Sequence, residues 1–246
     1  MNSKAWQVFD GKIRVLKQHL QLMDVALNIA NKQVKKKKGS DVKIAQALGV
    51  KIEQYMQLNI PAEEVDIKRT FVTSRNKLHE QAIVDLSRIF SDYIANIIAE
   101  VEHKKPMQFF ELLTVNSDRT IKYEDIIRIG NYNQLINEMA HRIFRSLENK
   151  RNTKEMLEKI INKADINIDK DIKDNALLFL EIRHLIIHNN TTADEKFLNM
   201  PNNDVVKVNR NNMKICLNFE TTNNAITQVF RLCKLIDDEL LRVELL

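Results

Sequence analysis

The chain has 246 residues, 44% of them hydrophobic and 29% charged, with a formal net charge of +5. It holds only 4 Gly and 3 Pro, where average usage would make the two about 12% of the chain. That shortage excludes turn-rich sheets and barrels, a dinucleotide-binding glycine fingerprint and a phosphate-cradling P-loop, and leaves an all-α chain of long helices joined by polar, Asn-rich connections.

Residues 12–34 carry the clearest helical period. Ile13, Leu16, Leu20, Met23, Leu27, Ala30 and Val34 recur in steps of three and four, which draws one apolar stripe suited to antiparallel packing. Lys35, Lys36, Lys37 and Lys38 then meet the negative end of the helix dipole, and Gly39 follows as a stop. The Lys run reads as a solvated helix end, with phosphate contact as the alternative. Ser40 is expected to cap a short helix from Asp41 to Leu48. Ile44–Val50 resembles the first helix and glycine turn of a helix-turn-helix DNA reader. The following 51–57 stretch has few small polar side chains for base edges and stops before Pro61, so a plain helical hairpin is expected.

A boundary is placed near Thr73, giving an N-terminal helical extension at 1–72 and a main domain at 73–246. The main domain opens with a long helix from Ser74 to His103, apolar through Leu78, Ile83, Leu86, Phe90, Ile94 and Ile97, and stopped at Pro106. Short helices are expected at 106–113 and at Tyr123–Ile129, the second ended by Gly130. Amphipathic helices are expected at 133–147 and 153–161. Residues 171–188 form the most apolar helix, through Leu177, Leu180, Ile182 and Leu185. A polar turn region covers 189–203, and weak alternation around 209–212 suggests one small β-hairpin. A last helix covers about 223–244. The sum is an up-and-down helical bundle.

Several chemistries drop out. Cys216 and Cys233 are too far apart for a Cys-x-x-Cys clip and sit in apolar contexts as expected packed thiols. His79-Glu80 starts like a zinc-protease helix, but Ile83 stands where the second His belongs. Asp66-Ile67-Lys68 and Asp171-Ile172-Lys173 match half of a restriction-nuclease motif that needs a central sheet. The readings are no metal and no cofactor. No apolar run reaches the ~18 residues of a membrane span, and no signal peptide opens the chain, so the expected location is the cytoplasm.

The segment Glu181-Ile182-Arg183-His184-Leu185-Ile186-Ile187-His188-Asn189-Asn190 stands out. Arg, four residues, then His is a weak spacing alone: with 13 Arg and 6 His, about one match at four to six residues arises by chance. Arg14 and His19 are such a match, on the rim of the first helix. Arg183 and His188 differ because they end the most apolar helix and precede a polar Asn-Asn-Thr-Thr turn. On a straight helix the two lie about 140° apart, so they share a cleft only if the helix ends or distorts near His188.

Arg183-His184-x-x-x-His188-Asn189, followed by Asp194-Glu195-Lys196-Phe197-Leu198, resembles the HEPN superfamily of small helical nucleases, most of all the RiboL-PSP-HEPN-like group. The resemblance covers about residues 74–242. It implies a helical bundle of HEPN type that dimerises through the motif helix, and metal-independent RNA cleavage by a toxin or phage-defence effector, with an antitoxin protein as a further partner. It implies Arg183 and His188 as catalytic residues, with His184, Asn189 and Asn190 supporting or contacting RNA. The residue types suit this: His is the usual general base near neutral pH, and Arg forks onto phosphate oxygens. The products would be a 2′,3′-cyclic phosphate and a 5′-hydroxyl. The competing expectation is a non-catalytic helical scaffold or DNA-binding regulator using residues 41–58.

Overall fold

The computed structural model describes residues 2–36, 43–51, 64–104, 122–139, 142 and 153–246. Four long helices make the bundle: α1 (Lys4–Lys35), α3 (Glu64–Lys104), α7 (Lys170–His188) and α9 (Phe219–Arg242). Between them lie α2 (Ile44–Ala47), α4 (Tyr123–Ile129), α5 (132–139), α6 (Thr153–Ala164) and α8 (Glu195–Leu198). Among the described residues there is no strand, as an all-α bundle requires. The expected hairpin is reduced to two isolated antiparallel bridges, Thr192 with Lys214 and Val208 with Ile215.

Side-chain pairs fix the topology. Lys12 meets Asp92 at 2.6 Å and Asp24 meets Arg75 at 2.8 Å, so α1 and α3 are antiparallel. His79 touches Thr222 at 3.2 Å and Tyr93 donates to the Cys233 carbonyl at 2.8 Å, so α9 runs parallel to α3. The Asn167 amide reaches Glu239, while Thr191 pairs with Ile215, so α7 opposes α9. The order is up, down, up, down, as expected from the sequence.

α1 begins at Lys4, eight residues before the expected start. The Ser3 hydroxyl accepts from the Trp6 amide at 2.9 Å and donates to Asp237, while Glu100 takes the Lys4 and Ala5 amides at 3.2 and 3.0 Å. A capping hydroxyl and a carboxylate satisfy the orphan donors of this first turn. Trp6 and Phe9 then enter a ring cluster with Tyr93 and Phe230, at centroid distances of 4.9 to 5.5 Å. Burying each such ring contributes about 1.5–3 kcal/mol. Of the described residues before 73, those of α1 from Ala5 to Leu20 belong to the main core. α1 shares the main core with α3, α7 and α9, and the expected boundary near residue 73 falls inside α3.

The α1 stripe departs from expectation beyond Leu20. Met23 is exposed, and Asp24 takes the inward position. Past it, Val34, Ala47 and Ile67 make a second small core where α1, α2 and the start of α3 meet. Gly49, at φ +76, ends this short turn. The expected Ser40 cap, Lys37 and Lys38, the 106–113 helix and the would-be second DNA-reading helix lie outside the described residues, apart from Lys51. So does most of 140–147.

Candidate functional site

α7 starts where Asp169 caps the Ile172 amide at 3.0 Å. It stays α-helical through His188, which sits in the last turn. Leu178, Ile182 and Leu185 are fully buried and hold one side of the helix in the core. With about 100° per residue, the remaining arc carries Arg183, Ile187, His184 and His188 in that angular order. His184 and His188 are exposed, Arg183 is half-buried, and Ile187 is 46% exposed.

The two imidazoles lie one turn apart with ring centroids 4.7 Å from each other and planes tilted by 43°. Arg183 sits at the far edge of the same arc. The helix does not distort before His188, so one copy of the chain does not bring Arg183 and His188 into a shared cleft. The side chain that sequence spacing joined to Arg183 is instead joined to His184. Among the described residues, none of the three takes part in an ion pair.

The turn after His188 is tightly held. Asn189 caps α7 through its amide to the Leu185 carbonyl at 3.0 Å, and its side chain donates to Asp194 at 3.2 Å. That second bond ties the side chain of Asn189, expected to contact RNA, to the turn. Asp194 also caps α8 by accepting from Phe197, which is fully buried. The Asp-Glu-Lys-Phe-Leu segment thus folds back as a short helix that locks the turn, and Lys196 pairs with Glu181 of α7 at 2.7 Å. Asn190 and Thr191 follow one another in the left-handed region, at φ +49 and +63. A β-branched Thr there stores strain. The Thr191 amide donates to Leu185 at 2.9 Å and its carbonyl accepts from Ile215 at 2.9 Å, which holds the strained backbone in place.

The Ile215 connection places the 207–216 segment beside the motif. Its exposed Lys207, Arg210 and Lys214 were not singled out by sequence reasoning, because their proximity depends on the Thr192–Lys214 bridge. The up-and-down order puts the end of α1 and the start of α3 at this same end of the bundle. Lys32, Lys36, Lys68 and Arg69 are exposed there. Arg14 and His19 are exposed on α1, and Arg14 is paired to Asp10 at 2.6 Å, as a rim position predicts.

Of the rejected motifs, His79 proves buried, with Nδ1 on Thr222 and Nε2 3.6 Å from Asp24. Nε2 has no hydrogen-bond partner, and burial pushes the imidazole's pKa below its ordinary value despite Asp24. Both Asp-Ile-Lys segments lie on helices. Cys233 is buried and its thiol pKa is pushed well up by desolvation, whereas Cys216 is exposed, contrary to the packed thiol expected. Among the described residues no three His, Cys, Asp or Glu side chains group as a metal site, and no helix is long and apolar enough to cross a membrane. Compared with family models, curated proteins and solved structures, the chain matches none.

Proposed function

We propose that this protein is a metal-independent endoribonuclease of HEPN type that works as a homodimer, with Arg183 and His188 as its catalytic residues. The observation that carries the reading is the exposed arc at the end of α7. It gathers one guanidinium and two imidazoles, none ion-paired among the described residues, at the end of a helix whose other side is buried in the core. Two exposed imidazoles and a half-buried guanidinium at one helix end are open to a ligand, and a phosphate with its adjacent 2′-hydroxyl fits both residue types.

In the proposed reaction His188 accepts the proton of the ribose 2′-hydroxyl. The 2′-oxygen attacks the adjacent phosphorus, Arg183 stabilises the charge on the non-bridging oxygens, and the 5′-oxygen leaves with a proton. A 2′,3′-cyclic phosphate and a 5′-hydroxyl result. His184, one turn from His188, orients it or supplies the leaving-group proton. Arg183 and His188 diverge by about 140° within one chain, so a second copy facing the first brings the two residue types to one phosphate. Ile187, exposed between Arg183 and His184, offers the apolar contact for that meeting. Lys207, Arg210 and Lys214, with Lys68 and Arg69, suit the sugar–phosphate backbone. Asn190 keeps a supporting role at the exposed turn. A cytoplasmic toxin or defence effector, restrained by an antitoxin, is the setting that the resemblance suggests.

The test is cleavage of RNA by the full chain in EDTA. Arg183→Ala and His188→Ala should each lower the rate by about a hundredfold or more with unchanged thermal melting. Unaltered cleavage in both variants would overturn the reading.

A further inference from the structure

α1 is apolar on two sides. Its inner row, Phe9, Ile13, Leu16 and Leu20, is buried in the bundle. A second row, Val8, Val15, Leu22 and Ile29, is 51, 64, 68 and 51% exposed. The outer residues repeat every seven positions over about 32 Å of helix, and Val25, 48% exposed, thickens the row. One apolar position per heptad, with Val25 between Leu22 and Ile29, makes a narrow apolar stripe that a second helix can cover. Its residues serve no purpose toward solvent, and they offer nothing to a phosphate backbone.

The charge beside this row selects the partner. Residues 4–36 hold seven Lys and Arg against two Asp, a surplus of +5 equal to that of the whole chain. Neither acid is free: Asp24 is turned inward to Arg75, and Asp10 is taken by Arg14. Lys4, Lys32 and Lys36 remain along the exposed sides, while Lys12 is bound to Asp92 and Arg14 to Asp10. A second copy of this helix would set surplus against surplus. A helix with apolar heptad positions and Glu or Asp flanks would neutralise it.

We propose that the outer face of α1 docks an acidic amphipathic helix of a partner protein. Val8, Val15, Leu22 and Ile29 form its apolar seam, and the flanking Lys and Arg side chains select for acidic residues. Nothing in this surface depends on Arg183 or His188.

The test uses two labelled synthetic helices of four heptads, with one shared Ile/Leu seam and either Glu or Lys at the flanking positions. Each is titrated with the full chain by fluorescence anisotropy. Sedimentation of the chain alone and flotation with phosphatidylserine-containing vesicles accompany it. The Glu helix should bind at least about tenfold more tightly than the Lys helix, and Val15→Gln/Leu22→Gln should abolish that binding without altering thermal melting. The proposal fails if neither helix binds, if both bind alike, or if the double variant still binds. It fails equally if the double variant's main effect is loss of self-association or of vesicle binding.

Discussion

His188 faces His184, not Arg183. The two rings lie 4.7 Å apart on successive turns of α7, while Arg183 holds the opposite edge of the same exposed arc. A chain that cleaves RNA with this set needs a guanidinium beside His188 from elsewhere, and the proposed dimer would supply Arg183 of a second copy. The variants should rank accordingly: His184→Ala should reduce cleavage by about tenfold, less than the loss from His188→Ala, because it acts through the neighbouring ring. A single-turnover rate series for the two variants checks the order.

Lys207→Gln, Arg210→Gln and Lys214→Gln together should weaken RNA binding and flatten its salt dependence by up to about three phosphate contacts. The rate at saturating RNA should stay unchanged. Filter binding across a salt series, beside saturated cleavage rates, separates grip from chemistry.

The strained turn makes a backbone prediction. Thr191→Pro removes the amide that donates to Leu185 and cannot adopt φ +63, so it should cost about 3 kcal/mol or more. Thr191→Gly relieves the left-handed strain while losing a small buried side chain, and should stay within about 1 kcal/mol of the parent. Urea unfolding of both variants measures the difference.

His79 predicts a pH dependence. Burial depresses its folded pKa below the ordinary 6.5, so the unfolded chain takes up the proton first. The stability associated with neutral His79 is complete above pH 6.5 and is lost as pH falls through the window beneath it, by at most about 1.4 kcal/mol per pH unit. His79→Gln should flatten that part of the melting-temperature profile relative to the parent, because the buried imidazole is gone while the other histidines remain. Parallel slopes in the two proteins would contradict this.

Ser3→Ala should destabilise the bundle by about 1–2 kcal/mol, through loss of the α1 cap and of a donor to the buried Asp237. Burial already raises the Asp237 pKa, and the Ser3 bonds oppose that rise. The Asp237 cost is therefore absent below pH 3.8 and grows as pH rises through the folded pKa. Ser3→Ala should widen that window upward, read from melting temperatures on either side of it.

The long helices were legible because their apolar steps obey the helical period: α7 and α4 fall where the sequence places them, and α9 starts four residues early at the Asn218 cap. The start of α1 was not legible. Gly11 and Asp10 interrupt the pattern, and the Ser3 cap is completed only by Asp237, 234 residues away. The inward Asp24 was hidden for the same reason, since its partners Arg75 and His79 lie on another helix. At the site, residue types and their helix were readable, and the angular separation of Arg183 and His188 was foreseen. The ring pairing is an i,i+4 contact that the spacing of His184 and His188 contains, whereas the anchored turn and the basic 207–214 segment follow from tertiary contacts that no spacing encodes.

The purified 246-residue chain and its His188→Ala variant are incubated with RNA in EDTA, beside the same sequence carrying 2′-deoxyriboses, and the new ends are analysed. The account predicts 2′,3′-cyclic phosphate and 5′-hydroxyl ends from the parent alone, with the deoxy substrate intact. Equal cleavage by His188→Ala, cleavage of the deoxy substrate, or no cleavage by the parent would contradict it.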